Sequence, residues 1–152
     1  MDSRAKIGAL VLSAAALVGI AVREGYVPVA YTPVAGDVPT IGFGTTEGVH
    51  AGDTVTVPRA LTKLLDDASK FERAVKRCAP VPLYQYEFDA YVSLTYNIGE
   101  GAFCKSTLAK YLNAGDYEAA CKEILKWDKF QGKPLRGLTN RRNEEFKKCS
   151  GQ

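Results

Sequence analysis

The sequence predicts an α+β fold that is mostly helical, with a small N-terminal β-lobe and a larger helical lobe. An uncharged apolar run from Ile7 to Val22 suits a helix. The stretch from Val27 to Val57 is rich in proline, glycine and β-branched residues, which is typical of short antiparallel strands and turns. After Pro58, apolar residues recur at helical spacing in several segments down to Cys149.

The composition limits the classes of function. A chain of 152 residues fits one domain. Its net charge of +3 is weak and dispersed, which argues against a nucleic-acid partner but suits an anionic surface such as a cell wall or membrane face. His50 is the only histidine and is expected on an exposed hairpin, which argues against histidine-dependent triads and histidine-rich zinc sites. We therefore expect neither a metal nor a cofactor.

The apolar run near the N-terminus permits three interpretations. It spans 16 residues after the basic Arg4 and Lys6, just short of the transmembrane range of about 17–25. It could be a buried core helix, a cleaved signal peptide or an uncleaved signal anchor. Cleavage is the least favoured, because it would cut into the helix that presents Glu24. Half of the run is small or weakly apolar, so retention in a membrane would be marginal.

The helical lobe divides at local start and stop signals. Ser106 and Asp116 are candidate N-caps, and Cys78 to Pro82 breaks the pattern. The expected segments are a connecting helix over 59–77, a central buried helix over 84–96, a turn over 97–103, helices over 106–112 and 116–127, a loop over 128–137 and a last helix over 138–149.

Two carboxylates and a hydroxyl form the candidate catalytic set. Glu24 closes the apolar run, Asp37 lies in a turn about a dozen residues later, and Thr40 follows it. One protonated and one ionised carboxylate are the minimal requirement for cleaving a glycosidic bond. Glycines after Thr40 would let the backbone approach a ligand closely.

Several motifs resemble those of phage-type lysozymes, glycoside hydrolase family 24. Glu24-Gly25, Ala30-Tyr31 and the stretch 39–46, PTIGFGTT, carry the signature. Further matches follow in the same order and extend the resemblance over nearly the whole chain: 97–101, 106–108, 112–115, the Trp127 loop and 137–142. The resemblance implies a lysozyme-like fold whose cleft binds peptidoglycan glycan strands. It implies hydrolysis of the β-1,4 bond between N-acetylmuramic acid and N-acetylglucosamine, with inversion, and hence lysis of a host cell.

The resemblance also assigns the catalytic roles. Glu24 would be the general acid, and Thr40 would help to hold the attacking water. The family commonly has an aspartate where this chain has Pro33. Since Asp37 is the only carboxylate between Glu24 and Thr40, we infer that it supplies the second carboxylate from a reshaped turn. The alternative is an ordinary turn aspartate.

Supporting roles follow from the same resemblance. Arg141 would pair with Glu24 and position it, and Arg142 is the rival for that role. Possible sugar contacts are Tyr31, Phe43 and Asn97, although Phe43 could equally pack in the core. The disulfide expectation comes instead from position in the chain. Cys121 and Cys149 lie on the last two major helices and are expected to pair, which leaves Cys78 and Cys104, each beside a turn, as the second pair. Four cysteines allow three pairings, and buried free thiols are the alternative.

The N-terminal segment resembles the signal-anchor-release segments of secreted phage endolysins. We expect one domain in which residues 1–24 form a signal-anchor-like helix ending at Glu24, residues 25–57 the β-lobe, and residues 58–152 the connecting helix and helical lobe. Residues 7–22 would associate transiently with the inner membrane, with the N-terminus in the cytoplasm. A monomer would then be released to the periplasm. A lytic transglycosylase and a non-catalytic, membrane-tethered wall-binding protein remain alternative functions.

Overall fold

The computed structural model describes residues 3–152. Met1 and Asp2, which belong to the predicted N-terminal helix, lie outside the described residues. The helices are α1 (Ala14–Glu24), α2 (Val57–Cys78), α3 (Gln85–Ile98), α4 (Glu100–Cys104), α5 (Thr107–Asn113), α6 (Tyr117–Glu123) and α7 (Arg136–Cys149). The strands are β1 (Val27–Tyr31), β2 (Thr40–Gly42), β3 (Lys129–Phe130) and β4 (Lys133–Pro134). The predicted α+β class, mostly helical with a small antiparallel sheet, is confirmed.

The chain forms two compact units whose boundaries differ from the predicted lobes. One unit is Ala14–Ser69, and the other combines the chain up to Ser13 with Lys70–Gln152. The predicted β-lobe, 25–57, therefore lies in a unit that also contains α1 and the first half of α2. The boundary between the two units, at Ser69 and Lys70, lies inside α2, which is itself continuous. The apolar pattern along this helix gives no signal of such a boundary.

Strands β1 and β2 build the sheet of the Ala14–Ser69 unit. They pair antiparallel, with Val27 opposite Gly42 and Tyr31 opposite Thr40. The β-branched residues near 53–57, at the end of the stretch expected to form strands, contribute only an isolated bridge between Val29 and Thr54. The buried apolar side chains of this unit come from both helices and β2: Ala16, Ile20, Ile41, Ala60, Leu64 and Ala68.

The prediction of one continuous helix up to Glu24 is wrong. Residues Ile7–Ala9 form a single 3₁₀ turn, the chain is then irregular, and helix α1 begins only at Ala14. No helix within residues 3–152 has the length and apolar character needed to cross a membrane.

Contacts with distant residues explain the interruption, because they take the backbone groups that a helix would use. Ala5 and Leu83 exchange two backbone hydrogen bonds of 2.9 and 3.0 Å. Ser13 donates through its backbone N–H (3.0 Å) and its hydroxyl (2.6 Å) to the two carboxylate oxygens of Asp89. The backbone N–H of Leu12 donates to Glu72.

Helix α3 is the centre of the unit that contains the C-terminus. Every residue from Glu87 to Thr95 is buried, as expected for a central helix. The predicted caps are confirmed, because the side chains of Ser106 and Asp116 each accept a 3.0 Å hydrogen bond from the backbone at the third residue onward. The predicted turn over 97–103 is mostly helical, since α3 runs to Ile98 and α4 follows Gly99 directly. The predicted loop over 128–137 contains the short hairpin β3–β4.

Two disulfides close loops in this same unit. Cys78 is bonded to Cys104, and Cys121 is bonded to Cys149. These are the pairs expected from the sequence, and the four cysteines are therefore not free thiols.

Candidate active site

Glu24 is the last residue of α1, and its carboxyl group faces a glycine. The backbone N–H of Gly25 closes the helix on Ala21 O at 3.0 Å, and Gly25 then turns the chain with a φ of 69°. A Cβ atom built on Gly44 would lie only 2.9 Å from Oε2 of Glu24. The half-buried Glu24 side chain therefore lies directly against the backbone of the PTIGFGTT segment.

That backbone forms a tight turn, which we call the glycine turn, from Ile41 to Thr45. Ile41 and Thr45 exchange two backbone hydrogen bonds of 3.0 Å. The two glycines inside it, Gly42 and Gly44, have φ values of 64° and 86°. Residues with a side chain rarely adopt this left-handed region, so the spacing of the glycines fits the conformation of the turn.

Asp37 and Thr40 lie between the paired strands. Asp37 is exposed in a turn whose backbone hydrogen bond runs from its own N–H to Val34 O at 3.0 Å. Its Oδ1 accepts from the backbone N–H of Val38 at 2.9 Å, and Thr40 donates weakly to Val38 O at 3.4 Å. Thr40 opens β2 and pairs with Tyr31. The catalytic roles of Asp37 and Thr40 stay predictions.

The aromatic residues predicted to contact sugar differ in exposure. Tyr31 is exposed beside Thr40. Phe43, at the centre of the glycine turn, is half-buried and packs on Tyr26 with 5.6 Å between ring centroids. Phe43 thus has the packing contact that the alternative interpretation expects, and sugar binding by either side chain stays a prediction.

Asn97, Arg141 and Arg142 belong to the other unit and meet there around Glu145. Arg142 is fully buried, forms an ion pair with Glu145 at 2.8 Å and donates to Asn97 Oδ1 at 3.0 Å. Arg141 donates to Glu145 Oε1 and to Ser93 O, each at 3.3 Å. Both arginine side chains are largely buried, so neither is an exposed helix-terminal charge. Support of Glu24 by Arg141 stays a prediction, as does sugar binding by Asn97.

Three contacts around the glycine turn involve residues that were not predicted to belong to the site, namely Tyr26, Thr45 and Asp67. The Tyr26 hydroxyl donates to Val55 O at 2.7 Å while its ring packs on Phe43. The Thr45 hydroxyl donates to Asp67 Oδ2 at 2.9 Å. The glycine spacing of the segment was a usable signal for Gly44, but nothing in the sequence links Thr45 to a carboxylate one helix away.

The arrangement suits acid–base chemistry by side chains. A glutamate lies at a helix end against a backbone wall, and an exposed aspartate and a threonine lie in the neighbouring strand and turn. Within residues 3–152, no group of three or more histidine, cysteine, aspartate or glutamate side chains is arranged to hold a metal ion.

Comparison with known proteins identifies the family. Residues 21–145 match the phage lysozyme family. This span contains Glu24, Asp37 and Thr40, as well as Arg141 and Arg142.

Individual relatives agree over different shares of their length. The endolysin of Bacillus phage B103 is 42% identical over 107 residues, which cover 70% of this chain but only 41% of the relative. The SAR-endolysin of Pseudomonas phage phiKMV is 39% identical over 140 residues, which cover 90% of this chain and 86% of the relative. The solved endolysin from Escherichia coli O157:H7 phage FAHEc1 is 39% identical and covers 93% of this chain and 94% of its own, with a TM-score of 0.81.

The family match therefore covers most of the chain, including the end of α1 at Glu24 and the glycine turn. The chain belongs to the phage lysozyme family and is a peptidoglycan-hydrolysing lysozyme of the endolysin type.

Proposed function

We propose that this lysozyme cleaves the β-1,4 bond between N-acetylmuramic acid and N-acetylglucosamine with Glu24 as the general acid. Protonation of the leaving glycosidic oxygen requires a carboxylic acid whose position is fixed beside the substrate. The contact between Glu24 and Gly44 is the observation that carries the proposal. It holds the carboxyl group at the end of α1 against a segment with no side chain in the way.

Asp37 and Thr40 would direct the attacking water. Asp37 is exposed, and its second carboxylate oxygen, Oδ2, is not the atom that accepts from Val38. An exposed carboxylate can accept a proton from water, and the Thr40 hydroxyl would orient that water. Attack from the face opposite the leaving group would invert the anomeric centre. No metal or cofactor enters the proposal.

A lytic transglycosylase is the second candidate, and one observation favours it. Asp37 makes the local hydrogen bonds of an ordinary turn aspartate. Its carboxylate accepts from the backbone N–H of Val38, and its own backbone N–H donates to Val34 O. Such an enzyme would use the glutamate alone and would close the muramic acid on itself instead of adding water.

Analysis of the products separates the two. We expect mass spectrometry of digested peptidoglycan to give reducing-end muramic acid, and NMR of fresh digests to give the inverted anomer first. Asp37→Asn should reduce turnover by roughly 10²-fold or more, as loss of a general base does. Anhydro products, or full activity of Asp37→Asn, would contradict the water-directing role.

We also propose that the protein begins in the inner membrane, with its N-terminus in the cytoplasm, and then reaches the periplasm as a monomer. The phiKMV relative is a SAR-endolysin, and residues 7–22 are uncharged and marginally apolar. The two disulfides suit an oxidising compartment. The hydrogen bonds of Ala5 with Leu83 and of Ser13 with Asp89 support a released state, because a segment spanning about 30 Å of hydrocarbon could not make them.

Membrane depolarisation tests the release. It should move the protein from the membrane to the soluble fraction and increase muramidase activity, because Glu24 ends the same segment. Membrane-bound protein that is already fully active would rule the proposal out. Gel filtration of the released protein should give the mass of one chain.

A further inference from the structure

The glycine turn, Ile41 to Thr45, does more than bring backbone near a ligand. We infer that it is a positioning device for the Glu24 carboxyl group, in which Gly44 forms the contact surface and Thr45, with Asp67, holds the turn in place. This inference rests on the proposed role of Glu24 as the general acid.

The contact between Gly44 and Glu24 extends along the whole end of the side chain. A Cβ atom on Gly44 would lie 2.9 Å from Oε2, 3.4 Å from Cδ and 3.5 Å from Cγ of Glu24. The first of these distances is too short for any real side chain. The Glu24 carboxyl group therefore occupies the space that a side chain at position 44 would need.

The turn is also held from behind, by helix α2. A Cβ atom on Gly42 would lie 3.1 Å from the Cβ of Ala60, so a side chain here would push the turn and the helix apart by a few tenths of an ångström. About two helical turns further along α2, Asp67 accepts the 2.9 Å hydrogen bond from the Thr45 hydroxyl, and Thr45 is only 4% exposed. Two points on one helix therefore fix the two ends of the turn.

A third contact joins the turn to the segment that follows Glu24. Phe43 packs on Tyr26, two residues after the catalytic glutamate, and Tyr26 is itself held by its hydrogen bond to Val55 O. The turn and Glu24 are thus attached to a common frame of helix and strand. A misplacement of about 1 Å can cost about 10²-fold in rate, so this frame would matter for a proton donor.

The sharpest test compares Gly44→Ala with Gly52→Ala. The two glycines have φ values of 86° and 87°, both lie in the Ala14–Ser69 unit, and a Cβ on Gly52 meets nothing within 4 Å. Both variants carry the same kind of left-handed backbone strain. We expect similar melting temperatures, but kcat on soluble peptidoglycan fragments should fall by about 10-fold or more only in Gly44→Ala, with KM within about twofold.

A second pair of variants tests the hydrogen bond behind the turn. Thr45→Val keeps the shape of the side chain and removes the donor to Asp67, and Thr45→Ser restores the donor. We expect kcat to fall by about 3- to 10-fold in the valine variant and to recover in the serine variant, with KM unchanged in both. Equal kcat in the two variants, or equal kcat in Gly44→Ala and Gly52→Ala, would overturn the inference.

Glu24→Gln separates this inference from the proposed function. If Glu24→Gln is fully active, the general-acid assignment fails. If Glu24→Gln is inactive but Gly44→Ala turns over like Gly52→Ala, only the positioning inference fails. The double variant Glu24→Gln/Gly44→Ala should show no further loss beyond Glu24→Gln, because two residues that act through one group are not additive.

Discussion

The hydroxyl of Tyr91 lies in the core against the Cys121–Cys149 disulfide, 3.6 Å from one sulfur and 3.2 Å from the other. A disulfide sulfur carries no proton, so the hydroxyl is the donor. Burial raises the pKa of Tyr91 well above its ordinary value of 10.0, because the phenolate would lose its hydration. Below pH 10 the side chain is neutral in both the folded and the unfolded chain.

This raised pKa predicts an alkaline loss of stability. Above pH 10 the unfolded chain releases the proton while the folded chain keeps it, so the free energy of unfolding falls as the pH rises. The contribution of Tyr91 is about 1.4 kcal/mol per pH unit. In Tyr91→Phe, the free energy of unfolding measured with urea should fall less steeply between about pH 10 and 11.5, by up to about 1.4 kcal/mol per pH unit. The exposed Tyr31→Phe is the control, and equal pH slopes in the two variants would contradict the account.

Individual site residues differ in how far the sequence could predict them. Glu24 and Thr40 stand in a motif, and their positions at the end of α1 and the start of β2 follow from local patterns. The hydrogen bond from Thr45 to Asp67 joins residues 22 positions apart in the chain. A buried partner at that distance depends on how α2 packs, which residue types alone do not specify.

Among the elements, the N-terminal segment departs most from its sequence pattern. Ser106 and Asp116 were predictable caps because each cap bonds within its own turn. The interruption before Ala14 was not, because Asp89 and Glu72, the carboxylates that compete for the backbone, lie 60 to 76 residues away. Helical periodicity therefore overestimated the helix by its first half.

Arg4 attaches this segment to α3 and its surroundings. Its guanidinium makes hydrogen bonds of 2.8, 3.0 and 3.3 Å to the carboxylate of Glu87, which is only 3% exposed. The same group lies 4.6 Å from the ring centroid of Tyr84 and 3.7 Å from that of Tyr117. Contacts of this kind give the N-terminal segment a defined position against α3.

Arg4→Ala should lower the free energy of unfolding by about 2 kcal/mol, because it leaves the buried Glu87 without its cation. Lys6→Ala removes a nearby exposed charge and should change stability by less than about 0.5 kcal/mol. Chemical denaturation measures both. Equal stabilities of the two variants would show that Arg4 does not anchor the segment.

At the scale of the whole molecule, the disulfides and the proposed catalytic residues belong to different compact units. Both disulfides lie in the unit that contains the C-terminus, whereas Glu24, Asp37 and Thr40 lie in the Ala14–Ser69 unit. The fold class followed from composition and periodicity. The division within α2 did not, since it reflects which residues pack together and not where the helix ends.

The disulfides should contribute strongly to stability. Their sequence separations of 26 and 28 residues correspond to about 3–4 kcal/mol each, mainly through the unfolded chain. Urea denaturation of the oxidised protein should therefore show a lower midpoint after reduction. In a Cys78→Ser/Cys104→Ser variant, reduction should lower the midpoint by only about half as much, because one disulfide remains. A midpoint of the unmodified protein that does not change with reductant would contradict this prediction.

The central claim is that Glu24 donates the proton that cleaves the glycan, and lysis by Glu24→Gln tests it most directly. The glutamine has nearly the same shape, so the variant should fold and melt like the unmodified protein. Its amide has no acidic proton to give to the glycosidic oxygen. Its rate of peptidoglycan cleavage should fall by roughly 10²- to 10⁴-fold. A folded Glu24→Gln variant that clears cell walls at the normal rate would contradict the account.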